Sequence, residues 1–192
     1  IWVILILSAA FLCFYYLYFF KKIVDHQDLS SSKKLPVSVV ICAKNEVDNL
    51  RKNLPSILAQ DYPLFEVLII VDHSRDGSFE YLQEEALNYE HLKVMRFDED
   101  KISAGKKEAL AFGIKNATNE HILLTDADCY PASDQWIKHM TAGFSANSEL
   151  VLGIGLYDKR TNRVLSQIIQ WDTLIIAVQY LSYSLRGKTY MS

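Results

Sequence analysis

The sequence has little cysteine and lacks the common metal-ligand motifs. Its three cysteines, Cys13, Cys42 and Cys129, are odd in number and widely spaced. This pattern favours buried thiols in a reducing compartment over a disulfide framework. No CxxC pair is present, and the five histidines match neither an HExxH nor an HxxxH spacing. The sequence therefore gives no sign of a zinc site.

The sequence also lacks an excess of basic charge. Twenty Lys and Arg residues stand against 23 Asp and Glu residues, and the net charge is -3. No stripe of Lys or Arg of the kind that follows a phosphate backbone is present. We therefore expect no nucleic-acid partner. The length of 192 residues, half of them hydrophobic, predicts one domain plus a membrane anchor.

An apolar run at the N-terminal end predicts a membrane helix. Residues 1–20 are uncharged and long enough, at about 1.5 Å per residue, to cross the hydrocarbon core. Lys21 and Lys22 follow the run, whereas a signal peptide carries its charge before the apolar segment. A buried core helix is the alternative, but such helices are rarely apolar all round. We predict a transmembrane helix over residues 1–22, with the following domain in the cytoplasm by the positive-inside rule.

A polar linker follows at residues 23–35, and a folded domain is predicted over residues 36–192. Short apolar runs there alternate with segments of helical periodicity. Strands are predicted at 37–43, 65–71, 93–97 and 122–125, and helices at 46–60, 78–89 and 106–116. This alternation predicts an α/β fold with a mainly parallel sheet and helices on both faces. In such folds the ligand crevice lies at the carboxyl ends of the strands.

Polar residues follow three of the predicted strands directly, and we expect them to meet in one crevice. They are Lys44 to Glu46, Asp72 to Asp76, and Asp126 to Asp128. Asp126 and Asp128 are hard oxygen ligands that suit Mg²⁺ or Mn²⁺ bridging a substrate diphosphate. An Asp-x-Asp turn can equally cap a helix or solvate a loop.

The other candidate residues also have two interpretations. Asp72 could bind a base or ribose, or form an Asx-turn with Ser74 and Asp76. Lys106 opens a helix, where it could bind an anion or simply be solvated. Asn45 and Glu46 could contact a ligand or cap the first helix.

The order and spacing of these segments resemble the nucleotide-binding half of family-2 glycosyltransferases. The resemblance covers residues 36 to about 155 and rests on VSVVICAKNE, VLIIVDHSRDGS, AGKKEAL and LLTDADCYP, with Trp136 shortly after. It implies a Rossmann-like GT-A fold for nucleotide-diphospho-sugars, with the first two strand ends around the nucleotide. Residues 36–192 would then be the nucleotide-sugar-binding half of a C-terminally incomplete glycosyltransferase domain.

The resemblance also implies roles for individual residues. The nucleotide-sugar-binding residues would be Ala43, Asn45, Glu46, Asp72, Lys106 and Asp126, and the metal ligands Asp128 and Asp126. Among these, Asp72 would hydrogen-bond the base. Val71 stands where the family often has a first aspartate, and Ala111 where asparagine is frequent. The family's general base normally lies well beyond the Asp-x-Asp pair, so we expect it past Ser192.

The implied function is transfer of a sugar, with inversion, from a nucleotide-diphosphate sugar to a lipid-linked or saccharide hydroxyl. Uridine diphosphate is the expected carrier, Mg²⁺ or Mn²⁺ the cofactor, and cell-envelope or exopolysaccharide synthesis the setting. A haloacid-dehalogenase-like phosphatase using Asp126 and Asp128 is one alternative, and a non-catalytic sugar-nucleotide-binding module is another. Residues 164–185 are too polar for a transmembrane helix to be predicted there. They suit an amphipathic surface helix or a core helix.

Overall fold

The computed structural model describes residues 2–24, 34–98, 105–144, 150–157 and 164–187. Its helices are α1 (Trp2–Val24), α2 (Val47–Leu58), α3 (Ser78–Ala86), α4 (Lys106–Asn116), α5 (Trp136–Ala142) and α6 (Val164–Ser184). Its strands are β1 (Val37–Ala43), β2 (Phe65–Asp72), β3 (Leu92–Phe97) and β4 (His121–Asp126). The chain forms two compact units, residues Ser30–Val151 and residues Ile1–Leu29 with Leu152–Ser192.

The first unit is built on a parallel sheet in the order β3-β2-β1-β4. In the centre of the sheet, Val37 of β1 lies opposite Phe65 of β2 on one side and His121 of β4 on the other. All four strands run in the same direction, so their carboxyl ends lie at one edge. This arrangement places the segments after β1, β2 and β4 side by side.

Helices cover both faces of the sheet, as the alternating pattern predicted. Successive residues of a strand point to opposite faces. Ile41 and Ile69 pack on the face that carries α2, where Leu50 and Leu54 are also buried. Residues of β2 that point the other way pack against Ala109 of α4. Strands β1 and β2 are buried on both faces of the sheet. This burial explains why their sequences are continuous apolar runs and do not alternate between apolar and polar residues.

The predicted elements agree with the structure to within three residues at each end. The strand at 37–43 and the helix at 106–116 are confirmed at both ends. Helix α5, Trp136–Ala142, was not predicted. It has seven residues, too few for a periodic pattern to develop, and it follows a turn-rich segment.

The second unit contains α1 and α6. By length and composition both helices could cross a membrane, although this criterion is also met by signal sequences and by core helices. No residue of α1 is buried. The ring of Phe19 on α1 stacks on that of Tyr183 on α6, with 4.5 Å between centroids. Membrane crossing by α1 stays a prediction.

Helix α6 differs from both interpretations given for residues 164–185. Only Ala177 and Ser182 are buried among its described residues, so the structure does not bury it as a core helix. Its exposed apolar side chains also lie around most of the helix axis rather than on one amphipathic face. The polar residues Asp172 and Gln179 stand among these apolar positions.

Two features of the cysteines are settled by the structure. All three thiols are free, which agrees with the absence of a disulfide framework. The expectation that they are buried is wrong for Cys13 and Cys129, which are exposed, whereas Cys42 at the end of β1 is half-buried. An apolar neighbourhood in sequence does not bury a side chain on the open surface of α1 or in the turn after β4.

Candidate functional site

A cleft of about 290 Å³ opens at the carboxyl edge of the sheet. It is lined by residues that end or follow β1, β2 and β4 and by the first residue of α4: Cys42, Ala43, Lys44, Glu46, Asp72, Lys106, Asp126, Ala127 and Asp128. Of the residues to which the resemblance gives a binding role, the cleft therefore brings together all but one, whereas of the segment Asp72 to Asp76 only Asp72 lines it. Asn45 is the exception, because it belongs to the same loop but does not line the cleft.

Asn45 instead joins the loops that follow β1 and β2. Its backbone N–H donates to Ser74 Oγ at 3.0 Å, and its Oδ1 accepts from the N–H of Arg75 at 2.9 Å. Asn45 has a φ of +56° and His73 a φ of +46°, so both loops turn through the left-handed region immediately beyond the strands. Asparagine and histidine are enriched among non-glycine residues in this region. The turns hold the two loops against each other beside the cleft.

The start of α2 is capped by a residue that the sequence did not indicate for this role. Glu46 occupies the N-cap position without a side-chain cap, which makes the predicted capping by Asn45 or Glu46 wrong. Asp76 Oδ2 instead accepts from the N–H of Val47 at 2.8 Å, and its Oδ1 accepts from the N–H of Ser78 two residues on. Burial raises the pKa of Asp76, but the hydrogen bonds from Ser78 and Val47 outweigh it and hold that pKa below its usual range.

Asp72 forms the buried wall of the cleft at the end of β2. Its side chain is 4% exposed, and its Oδ1 accepts from His73 Nδ1 at 2.6 Å. Its Oδ2 accepts from Lys44 Nζ at 3.3 Å. The Asx-turn proposed for Asp72 in fact belongs to Asp76, since Asp76 accepts the hydrogen bond from Ser78. Asp72 therefore presents its carboxylate to the cleft.

Asp126 ends β4 and Asp128 follows it, on the opposite side of the cleft. Lys106 Nζ, at the start of α4, lies 2.7 Å from Asp126 Oδ1. The hydrogen bond to Asp126 raises the pKa of Lys106, so the ammonium stays charged at neutral pH. The cleft thus carries a cation directly beside the Asp-x-Asp pair, where an anionic ligand and its counter-ion would meet.

The backbone between the two aspartates is held by side chains that sequence analysis missed. The buried amide of Asn53 on α2 donates from Nδ2 to the carbonyl oxygen of Ala127 at 3.0 Å. Gln60 accepts from the N–H of Ile137 and donates to the carbonyl of Ser133, which fixes the segment that follows. A signal for Asn53 was present, because it stands among Leu50 and Leu54 on the apolar face of α2, where a polar residue requires a buried partner.

Cys42 forms part of the floor of the cleft. Burial raises the pKa of its thiol to about 11, Asp72 and Asp126 add to this effect, and Lys106 opposes it. The thiol is therefore protonated at neutral pH. This high pKa argues against a thiolate nucleophile at this position.

The donor groups fit a divalent ion that is shared with a substrate. Within the described ranges, no group of three or more His, Cys, Asp or Glu side chains is placed to hold a metal alone. Asp126 and Asp128 supply two carboxylates, and Asp126 already attracts the Lys106 ammonium. Mg²⁺ characteristically uses one or two carboxylates together with substrate phosphates. Asp126 and Asp128 therefore fit an Mg²⁺ or Mn²⁺ ion that a diphosphate completes.

The parallel sheet, the helices on both faces and the polar cleft at the strand ends agree with the predicted GT-A fold. The sequence model of glycosyl transferase family 2 matches residues 38–188. The chain therefore belongs to glycosyltransferase family 2. The match includes α6 and favours this family over the phosphatase alternative.

Individual proteins show the same relationship. The chain is 30% identical over 126 residues to a poly-beta-1,6-N-acetyl-D-glucosamine synthase of Staphylococcus epidermidis, covering 66% of this chain and 28% of that protein. The mannosyltransferase PcManGT of Pyrobaculum calidifontis, solved with GDP-Man and Mn²⁺, superposes with a TM-score of 0.58 at 23% identity, covering 72% of this chain and 42% of that one. S. aureus TarS in complex with UDP superposes with a TM-score of 0.50 at 25% identity, covering 56% of this chain and 31% of that one.

The chain spans less than half the length of the curated relatives it matches, 38% of one and 28% of another. The likeness to PcManGT concerns the fold.

Proposed function

We propose that this chain binds a uridine-diphosphate sugar and that the protein transfers its sugar, with inversion, to a lipid-linked or saccharide hydroxyl in cell-envelope or exopolysaccharide synthesis. The observation that carries the proposal is the convergence of Asp72, Lys106, Asp126 and Asp128 on one cleft. TarS, which was solved with UDP, and the poly-N-acetylglucosamine synthase support the choice of nucleotide and of setting.

The dimensions of the cleft suit a nucleoside diphosphate laid across the strand ends. Asp72 ends β2 and Asp126 ends β4, with β1 between them. Neighbouring strands are about 4.8 Å apart, so the ends of β2 and β4 are about 10 Å apart across the sheet. This separation lets the base reach Asp72 while the diphosphate lies beside Asp126 and Lys106, with the ribose over Ala43. Glu46 also lines the cleft.

Each residue then has a chemical task. Lys106 binds the diphosphate oxygens, and Asp126 orients that ammonium through the 2.7 Å contact. Asp128 and Asp126 would hold an Mg²⁺ or Mn²⁺ ion, which neutralises charge that develops on the diphosphate leaving group.

The same proposal includes the membrane. Helix α1 would cross the bilayer, and Lys21 and Lys22 in its last turn would place the nucleotide-binding unit in the cytoplasm. Nucleotide sugars and a lipid-linked acceptor would then meet at the cytoplasmic face.

The test is calorimetric titration of the full chain, solubilised in detergent, with UDP in the presence and absence of Mn²⁺. We expect Mn²⁺ to strengthen UDP binding by about tenfold or more, as its charge bridges the carboxylates and the diphosphate. Asp128→Asn should abolish this gain. Asp134→Asn is the matched control, because Asp134 is exposed and lies outside the cleft.

Failure of the chain to bind UDP or any other nucleoside diphosphate under either condition would refute the donor site. Metal-dependent binding of UDP without sugar transfer by the whole protein would instead favour a non-catalytic sugar-nucleotide-binding module.

A further inference from the structure

The carboxyl ends of α1 and α6 meet around a second cavity. It has a volume of about 370 Å³ and is lined by Tyr18, Phe19, Lys22, Leu185 and Arg186. Helix α1 supplies a lysine and two aromatic rings, and the turn that follows α6 supplies an arginine and a leucine. Basic groups thus lie beside aromatic and apolar surface, a combination that membrane proteins place at the level of the lipid headgroups.

Arg186 is held against α1 by Tyr18. Its guanidinium lies over the Tyr18 ring, 3.5 Å from the centroid, and its Nη2 donates to the carbonyl oxygen of Tyr18. A guanidinium carries five N–H donors. Its Nε is buried and has no hydrogen-bond partner. Within the described residues, one acceptor therefore serves a group that can use several.

Lys22 brings a second cation to the same cavity. Tyr18 and Lys22 are four residues apart, so they lie on the same side of α1, and the arginine stacked on Tyr18 is close to Lys22. Among the described contacts, no Asp or Glu pairs with either cation. Asp172, the one acidic residue in the described part of this unit, lies about three turns before the end of α6. Two like charges without a counter-ion repel each other, and an anion shared between them removes that cost.

We propose that this cavity binds the phosphate of an anionic phospholipid at the membrane surface. Lys22 and Arg186 bind the phosphate oxygens, while the aromatic and apolar residues of the lining contact the glycerol and the first carbons of the acyl chains. These residues make up three of the five in the lining, which favours a lipid over a soluble phosphate. The inference rests on the membrane placement proposed for α1 and does not depend on the nucleotide site.

Native mass spectrometry of the full chain in a neutral detergent measures which lipids it retains. Phosphatidylglycerol and phosphatidylcholine share the phosphate, but choline adds a cation beside Lys22 and Arg186. The wild-type chain should prefer phosphatidylglycerol by about tenfold or more. Lys22→Gln and Arg186→Gln should each lower this preference by about fivefold, the attraction that one basic residue contributes near an anionic membrane surface.

Lys21→Gln is the matched control. Lys21 carries the same charge and is also exposed in the last turn of α1, but it does not line the cavity. A neutral detergent has no surface potential, so this variant should keep the wild-type preference. Equal losses in Lys21→Gln and Lys22→Gln, or equal retention of the two lipids by the wild-type chain, would refute the site. If Arg186→Gln does not fold, the exposed Lys22 still provides the comparison.

Two further measurements separate the alternatives. Glycerol 3-phosphate at the same concentration should not displace phosphatidylglycerol, because it lacks acyl chains; displacement would show a site for soluble phosphate and overturn the lipid assignment. Carbonate extraction of vesicles that contain the chain tests the membrane placement. A chain that leaves the vesicles refutes the crossing of α1 and this inference with it, whereas a chain that stays but shows no lipid preference refutes the lipid site alone.

Discussion

Asn53 Nδ2 donates a hydrogen bond to the carbonyl oxygen of Ala127 across 3.0 Å, although the two residues are 74 positions apart in the chain. Asn53 is buried on the inner face of α2, and Ala127 is the residue between Asp126 and Asp128. This contact ties the Asp-x-Asp turn to the hydrophobic core. The two aspartates are therefore oriented by a side chain that lies outside the cleft.

Replacement of Asn53 by leucine should disturb the Asp-x-Asp turn without opening a cavity. The substitution leaves the carbonyl of Ala127 buried and unpaired, which should lower the free energy of unfolding by about 1–3 kcal/mol. The freed turn should also weaken Mn²⁺-dependent UDP binding by about tenfold, as measured by calorimetry at a temperature where the variant is folded.

Asn116→Leu provides the control for this substitution. The Asn116 amide also donates to a backbone carbonyl, that of Phe112 at 2.8 Å, but it is exposed at the end of α4. Its replacement should leave UDP binding unchanged. If Asn53→Leu loses stability and retains full Mn²⁺-dependent binding, Asn53 supports the fold and does not position the aspartates.

The shared metal predicts that nucleotide and ion bind together. Two carboxylates alone, one of them paired with Lys106, should hold Mn²⁺ weakly, and UDP should increase the affinity by about tenfold or more. Electron paramagnetic resonance of free Mn²⁺ measures this directly. Tight Mn²⁺ binding without nucleotide would contradict the substrate-completed site.

Lys106→Met separates the two effects of the lysine. Removal of the competing ammonium should strengthen Mn²⁺ binding in the absence of UDP, because Asp126 loses its 2.7 Å partner. The same change should weaken UDP binding, because the diphosphate loses a cation. Lys107→Met, at the exposed neighbouring position, should change neither affinity.

The sequence allowed the position of the cleft to be predicted, because that position follows from strand direction. Continuous apolar runs such as 37–43 identify buried parallel strands, and parallel strands bring their carboxyl ends to one edge. The contacts of individual side chains could not be predicted in the same way. Asn53 acquires its role only when Ala127 is brought beside α2, and Asp76 caps α2 from the loop that follows a different strand.

At the opposite end of the sheet, a hydrogen-bond network around Glu66 should make stability depend on pH. Burial raises the pKa of Glu66, but hydrogen bonds from Lys93, Ser38 and Thr118 outweigh it and lower that pKa to about 2. The folded-state pKa is thus below the usual value of 4.5. Between these values the unfolded state binds more protons than the folded state, so the contribution of Glu66 is present above the higher value and is lost as pH falls toward 2.

Glu66→Gln should remove this contribution. We expect a loss of about 1–3 kcal/mol at pH 7 and a flatter decline of stability between pH 5 and about 2, measured by urea unfolding across that range. Glu90→Gln, at an exposed position, should follow the wild-type profile. A Glu66→Gln profile parallel to that of the wild type would show that other carboxylates cause the acid sensitivity.

Gly113 lies at a close approach of α4 to the sheet and should not tolerate a side chain. A Cβ at this position would lie 2.7 Å from Val40 Cγ1 and 2.9 Å from Ile70 Cγ1. The overpacking cost of about 1–3 kcal/mol exceeds the gain in helix propensity, which is at most about 1 kcal/mol, so Gly113→Ala should destabilise the protein. Chemical denaturation measures the difference.

Gly155→Ala, which meets no atom within 4 Å, should remain near wild type. Adding Val40→Ala to Gly113→Ala should cost less than the sum of the two single changes, because the closer of the two contacts is removed. Strict additivity would show that the Val40 side chain does not cause the destabilisation.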